Sequence, residues 1–424
     1  VDTSWSRVEG GQAIQVLLEK VQKEFDFKEP SNSIPDLVEA HALISKLKDE
    51  HWKELKLNQI KEVIAACAGL YFEAAAEQAY ATKNEKVSLN LETINRSSQN
   101  MVLKSVQLLP EHKTVQLNKD LTYNVGLRNQ VELNISNNAR LTAPYWLEEK
   151  GSLGMYKVEN SDMVGKPVSL AEHKVIFSID FNGTTIDFEK NVIFKYNDPV
   201  KGEVYQPFEI VPEAVSNIAS KVVIFSEDES KQIPVTVTGF KGDVSGRIHL
   251  EVPTGWKVVP EEISFQMTFK GEEANFFFTV SPTKEQSEGY IRPVVRIGDM
   301  EFEKSMVEIN YDHIPKQSVL LPAESKVVRL NLAKKGQSIG YIKGAGDEVP
   351  KYLKQIGYKV TEVLPQNIST SLLQQFDAVI MGIRAYNTVP ELKLKQTAIL
   401  DYVHQGGNVI VQYNTSRGLV LEDN

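Results

Sequence analysis

Near the C-terminus, Gly344, Gly346, Asp347, Arg384, Tyr386, Asn387 and Asn414 each fall just after an apolar segment of strand character. Ligands of doubly wound sheets bind beyond the C-terminal ends of their strands, which makes these seven a candidate ligand-binding set. Gly344-Ala345-Gly346 would let the backbone turn sharply into a helix whose N-terminal amides attract an anion. The same stretch also reads as a tight strand-to-helix turn, since it is not GxGxxG. Arg384 carries a planar guanidinium that suits a carboxylate bidentately. Its partner could be a ligand, or a structural carboxylate such as Asp347 or Asp377.

Hydrolytic chemistry on such a sheet needs a nucleophilic Cys or Ser on a strained strand-to-helix elbow with a histidine in reach. The strand ends offer Gly382-Ile383-Arg384 and Asn414-Thr415-Ser416 instead. The single cysteine, Cys67, sits in the helical run Val63-Ile64-Ala65-Ala66-Cys67-Ala68 and reads as a buried thiol. The seven histidines are scattered and make no HExxH or HxxEH pattern, and His51 and Glu54 lack a third ligand. No catalytic residue and no metal ligand is therefore assigned. Exposed aromatics in β-rich segments could stack on sugar rings, with Tyr145, Trp146 and Trp256 as the candidates. Packing in a core or interface is the competing role for each.

The elements that position these residues change character along the chain. Ile14, Leu17, Leu18, Val21 and Phe25 mark one face of a helix. Ser33 is placed to cap a second helix carrying Leu37, His41, Ile44 and Leu47. An Ala-rich third helix is expected from about Leu57 to Tyr80, making a small bundle over 1–85. From Lys86 the period falls to two, and Asn182-Gly183 between alternating segments is a strong hairpin signal. We expect one immunoglobulin-like β-sandwich over 86–200 and a second over 201–312. Beyond 313 strands alternate with helices, which implies parallel pairing and a flavodoxin-like α/β domain over 313–424. With only about four strands before the sequence stops, that domain reads as truncated. The fold class expected is multidomain α+β: a helical segment, two sandwiches and the incomplete α/β domain.

A length of 424 residues suits several domains. Hydrophobic and charged fractions of 42% and 24% are those of folded globular chains. A net charge of −9 without clustered Lys and Arg argues against nucleic acid as a partner. No apolar run is long enough to predict a transmembrane segment.

Asp2-Thr3-Ser4-Trp5-Ser6-Arg7-Val8-Glu9-Gly10-Gly11, Asp49-Glu50-His51-Trp52, Asn95-Arg96-Ser97, Pro144-Tyr145-Trp146-Leu147 and Gly382-Ile383-Arg384-Ala385-Tyr386-Asn387-Thr388 together resemble the C-terminal part of large bacterial PIG-L (LmbE-like) family deacetylases. The final region separately resembles the ThuA-like, class I glutamine amidotransferase-like domain appended to them. The resemblance implies a preceding zinc domain with an Ala-His-Pro-Asp-Asp-type motif and a later His, in which the metal would activate water for attack on an N-acetyl group. None of that motif is present here, so no cofactor is assigned to this segment.

The resemblance thus implies a non-catalytic accessory region of a zinc-dependent N-deacetylase acting on N-acetylated amino sugars or glycoconjugates. Its partners would be the glycan substrate and the deacetylase domain of the same protein, in a periplasmic or secreted setting. Two other readings stand beside it. One is a hydrolase or amidotransferase-like enzyme whose catalytic residues lie beyond Asn424, and the other is a carbohydrate-binding scaffold.

Overall fold

The structure, a computed structural model, describes residues 4–149, 151–226 and 229–421. Asp2 and Thr3 of the N-terminal motif, and the Asn424 boundary, lie outside the described residues. The chain is of mixed class, with several open β-sheets and a few helices. It divides into two compact units, Val1–Glu213 with Met306–Leu321, and Ala214–Ser305 with Pro322–Asn424. No helix among the described residues is long and apolar enough to cross a membrane.

The first unit opens with α1 (Gly11–Glu24), α2 (Ile34–Ile44) and α3 (Glu50–Ala68). Asp49 caps α3 by accepting from the Trp52 amide, and Gly69, at a φ of 55°, ends it in the left-handed conformation that costs glycine least. The expected third helix therefore stops well short of Tyr80. Its Ala-rich tail is instead β1 (Tyr71–Ala76), paired antiparallel along its whole length with β3 (Lys86–Ile94). Helix propensity is a weak preference, and the pairing that buries Phe72 and Ala74 overrides it. The strand region thus begins near residue 71 and not at 86.

Strands β1 and β3 join β6 (Leu127–Asn134), β9 (Ile193–Asp198) and β10 (Gly202–Pro207) in a five-stranded sheet of order β10-β9-β1-β3-β6. A four-stranded sheet runs β5-β4-β7-β8, built from β4 (Val102–Leu109), β5 (Lys113–Asp120), β7 (Lys174–Phe181) and β8 (Thr184–Asn191). The hairpin β7–β8 turns at Asn182 and Gly183, both at positive φ as a two-residue primed turn requires. Period-two alternation sends Val87, Leu89 and Leu91 inward while Ser88, Asn90 and Glu92 face out. The sheets meet where Phe72 packs on Phe177 and Phe188, with ring centroids 5.2 and 5.0 Å apart. Ile14 and Ile64 of the helices belong to this same buried cluster, so the N-terminal helices share the strands' core.

Two short strands, β2 (Tyr80–Ala81) and β11 (Glu209–Ile210), pair in parallel beside this core. The ribbon of β21 (Lys304–Ile309) and β22 (Gln317–Pro322) reaches them through Met306–Leu321. There Ser318 donates to the buried Glu209 at 2.7 Å, and Lys316 pairs with Glu308 at 2.6 Å.

In the second unit, β12 (Ala214–Asn217), β14 (Lys231–Gly239), β18 (Glu273–Ser281) and β16 (Lys257–Val259) form one sheet in that order. The facing sheet runs β13-β23-β19-β15-β17, from β13 (Val222–Phe225), β23 (Ser325–Arg329), β19 (Ser287–Ile297), β15 (Val244–Glu251) and β17 (Glu262–Met267), and β20 (Met300–Phe302) pairs with β19. Phe225, Phe278 and Trp256 fill the space between the two sheets. The second β region therefore extends to Arg329, past the expected boundary at 312, because β23 returns after the ribbon to pair between β13 and β19.

The last sheet is wholly parallel. Its strands β24 (Ser338–Ile342), β25 (Lys359–Glu362), β26 (Ala378–Met381) and β27 (Val409–Val411) lie in the order β25-β24-β26-β27. Ile339, Tyr341 and Ile380 pack under α4 (Val349–Gln355) on one face. On the other, Ile342, Val379 and Met381 pack with Leu373 of α5 (Thr370–Leu373) and with Leu392, Ile399 and Tyr402 of α7 (Leu392–His404). The apolar runs of the two central strands, β24 and β26, are the pattern expected where a sheet is covered on both sides.

Candidate functional site

The chain leaves β24 toward β25 on one side and later enters β26 on the other, so the order reverses between β24 and β26. At such a reversal the loops leaving two adjacent strands part and open a crevice. Six of the seven predicted strand-end residues lie in the two segments bordering it, Tyr386 and Asn387 within the short helix α6 (Ala385–Thr388), and Asn414 joins them after β27.

Close backbone approach builds the floor. A Cβ on Gly344 would lie 2.2 Å from the Ile383 carbonyl and 2.8 Å from the Ala385 amide, and one on Gly382 would lie 2.5 Å from the Tyr341 hydroxyl. The Ala345 N–H donates to the Ile383 carbonyl at 2.8 Å, so the predicted phosphate cradle is already filled by the neighbouring loop. Gly344→Ala is expected to cost about 1–3 kcal/mol, because the clash is with backbone that cannot yield. Thermal unfolding of the variant measures this, and an unchanged Tm contradicts the tight-floor account.

Asp347 ties the crevice together. It accepts from the Tyr341 hydroxyl at 2.6 Å, the Val349 amide at 2.9 Å, the Ile383 amide at 3.2 Å and the Gln412 side chain at 3.3 Å. One carboxylate thereby joins the ends of β24 and β26, the start of α4, and the exit of β27. Burial works to raise its pKa, but these hydrogen bonds outweigh it and hold the carboxyl below the usual carboxylate range. Burial and the adjacent Asp347 charge push the Tyr341 phenol up, so it stays a donor. The anion at the start of α4 is the protein's own.

Asn387 and Asn414 also serve the loops. Asn414 accepts from the Tyr386 amide at 3.0 Å and donates to the Gln412 carbonyl at 2.8 Å. Asn387 donates to the carbonyls of Thr415 and Arg417 at 3.1 and 3.2 Å and accepts from the Thr415 amide at 3.0 Å. The half-buried Tyr386 donates to Gln396 at 2.8 Å. These are positioning contacts within the fold.

Arg384 differs. Its backbone is left-handed, with φ 58° and ψ 23°, and its N–H donates to the Tyr413 carbonyl at 2.7 Å while the side chain stays exposed. The structural pairings with Asp347 or Asp377 are not made. Asp377 lies at the opposite, N-terminal ends of the strands, where it accepts from the Gln337 and Ser338 amides, both at 2.8 Å. Lys343, just after β24, and Arg417, after β27, are exposed on the same rim. Among the described residues none of these three cations has a carboxylate partner. Sequence reasoning missed Lys343 and Arg417, though each follows a strand as Arg384 does.

The aromatic candidates are not brought together. Trp256 is 6% exposed, lies edge-on to Phe225 with centroids 5.0 Å apart, and donates from Nε1 to Ser287 at 3.1 Å. It is a core residue with no ring face for a sugar, which corrects the stacking assignment. Tyr145 and Trp146 are half-buried and packed edge-on against each other at 4.9 Å, with the Tyr145 hydroxyl donating to the Lys166 carbonyl. Cys67 is half-buried rather than sealed, and burial raises its thiol pKa.

Among the described residues no three His, Cys, Asp or Glu side chains gather as a metal would require. No family model matches the chain, and no curated protein matches it. Solved structures that match include native E. coli alpha-2-macroglobulin, at 12% identity over 62% of this chain and 16% of that one, with a TM-score of 0.19. Salmonella alpha-2-macroglobulin reacted with methylamine matches at 8% identity over 61% and 16%, with a TM-score of 0.21. Dpr2 Ig1-Ig2 in complex with DIP-Theta Ig1-Ig3 matches at 7% identity over 62% and 99%, with a TM-score of 0.16. The chain spans 16% of the length of the two macroglobulins. At these scores the likenesses carry no argument about function.

Proposed function

We propose that this chain is a non-catalytic binding and positioning region of a PIG-L-like zinc-dependent N-deacetylase acting on N-acetylated amino sugars or glycoconjugates, in a periplasmic or secreted setting. The observation that carries the binding role is the division of labour at the strand-end crevice. Asp347, the acid nearest the floor, is committed to four hydrogen bonds that hold the loops, while the group left facing outward is the Arg384 guanidinium. A guanidinium flanked by two further cations binds anions; it neither attacks a carbonyl nor takes a proton.

The order β25-β24-β26-β27, second-first-third-fourth along the chain, and the helices on both faces support a flavodoxin-like reading of the final region. The paired, mainly antiparallel sheets of each unit, with the parallel pairs β1–β9 and β13–β23 as the exceptions, support the immunoglobulin-like reading. The deacetylase assignment itself rests on the sequence resemblance, with the zinc chemistry in a preceding domain.

Purified chain supplied with zinc and N-acetylated chitotriose is expected to release no acetate. Stoichiometric zinc binding together with acetate turnover contradicts the proposal.

A further inference from the structure

We propose that the outer face of the five-stranded sheet in the first unit is a binding site for a neutral, extended polyhydroxylated ligand, an oligosaccharide. It deepens the glycan-facing reading above but rests on its own residues. Across β9, β1, β3 and β6 the face carries a depression of about 600 Å³, continued by a second of about 490 Å³ that shares Glu77 and Gln130 with it. Volumes of several hundred Å³ are those of ligand sites. The run along β3 from Glu92 to Lys86 spans roughly 20 Å at a strand's rise per residue, so the trough suits a chain molecule.

The trough exists because Ala75, in the central strand, is small where its neighbours are long. Ala75 stands opposite Asn90 of β3 and next but one to Glu73, and it is only 5% exposed although it points away from the core. Around it the charged groups are already matched. Glu73 accepts from the Tyr71 hydroxyl at 2.6 Å and pairs with Lys195 at 2.7 Å, and Glu92 pairs with Arg128 at 2.9 Å. Farther along, Gln130 donates to Glu77 at 2.9 Å and Lys86 pairs with Glu132 at 2.9 Å. Carboxylates outnumber the cations here, so the trough does not favour an anion. Each carboxylate named faces a donor, which leaves little unspent charge to draw a cation.

The hydrogen-bonding capacity left over is neutral. Ser88 and Asn90 face outward on β3, between the matched pairs, and among the described residues neither side chain has a protein partner. A carboxamide and a hydroxyl both donate and accept, as sugar hydroxyls and N-acetyl groups do. The surrounding pairs fix the walls in advance, which lowers the ordering cost of binding.

The test titrates the whole chain with N-acetylated chitotriose and cellotriose as neutral probes, trigalacturonate as an anion and spermine as a cation. Neutral trisaccharide binding is expected. Asn90→Ala should weaken it at least fivefold, and Ala75→Phe should abolish it by filling the trough. Should Ala75→Phe fail to fold, Asn90→Ala decides. Absence of neutral binding, a preference for trigalacturonate or spermine, or equal affinity in Asn90→Ala overturns the proposal. Acetate release would sink the accessory reading instead, so the two fail separately.

Discussion

Replacing Asp347 with Ala is expected to destabilise the final α/β region by about 3–5 kcal/mol, because it orphans several donors at once and hydrogen bonds to a charged acceptor are each worth roughly 1.5–3 kcal/mol. The loss should be local to the parallel sheet, whose β24, β26 and β27 exits meet on this one carboxylate. The pH dependence has a fixed sign. A carboxyl whose folded pKa is depressed contributes stability above its unfolded pKa of about 4 and loses it as pH falls through the folded value. The stability difference between the wild type and Asp347→Asn should therefore be full at neutral pH and shrink below about pH 4. Urea titrations from neutral to acid pH measure it. A difference that does not change with pH would mean that the charge of Asp347 is not what holds the loops.

Arg384 gives the second large effect, and here the outcomes for binding and stability separate. Arg384→Ala is expected to weaken binding of citrate or inorganic phosphate at least tenfold, about 1.4 kcal/mol, with the remaining affinity lost as salt is raised. Its Tm should scarcely move, since surface substitutions without a partner stay within about 0.5 kcal/mol. Arg384→Gly sharpens the contrast. The left-handed backbone at this position favours glycine, so this variant should lose the anion equally while matching or exceeding the wild-type Tm. A large thermal loss in Arg384→Ala, with unchanged anion affinity, would make the residue structural.

How much of this was legible in the sequence follows from the range of each interaction. The strands Ser338–Ile342, Ala378–Met381 and Val409–Val411 were readable because each is a short apolar run between turn formers, the first two buried and the last at the sheet edge. The turn at Asn182-Gly183 was readable because the dipeptide itself sets the backbone. Tyr71–Ala76 was misread because its alanines favour a helix and only the distant partner Lys86–Ile94 makes it a strand. The strand Ser325–Arg329 was missed for the same reason, since it returns after a detour to pair between two strands of its sheet.

At the site, glycines and polar residues after strands marked the crevice but not the role of each residue. Asp347 could be named as a strand-end acid, yet its partners Tyr341, Ile383 and Gln412 come from three strand exits that only folding assembles. Trp256 carried no signal to separate a core ring from a binding one. The trough on the outer sheet was beyond reach because its walls come from four strands, β9, β1, β3 and β6. Ser88, Asn90 and Glu92 alternate as on any half-buried strand, and only folding sets Ala75 and Lys195 beside them.

The account's central claim is that this chain binds glycan without cutting it, and one proton NMR experiment addresses both halves. N-acetylated chitotriose is mixed with purified chain and zinc, saturation transfer from protein to sugar is recorded, and the free acetate signal is followed in the same tube. The account predicts transfer to the intact trisaccharide, reduced by Asn90→Ala, and no growth of free acetate. Acetate growing with time and enzyme concentration, or no transfer at millimolar sugar, would contradict it.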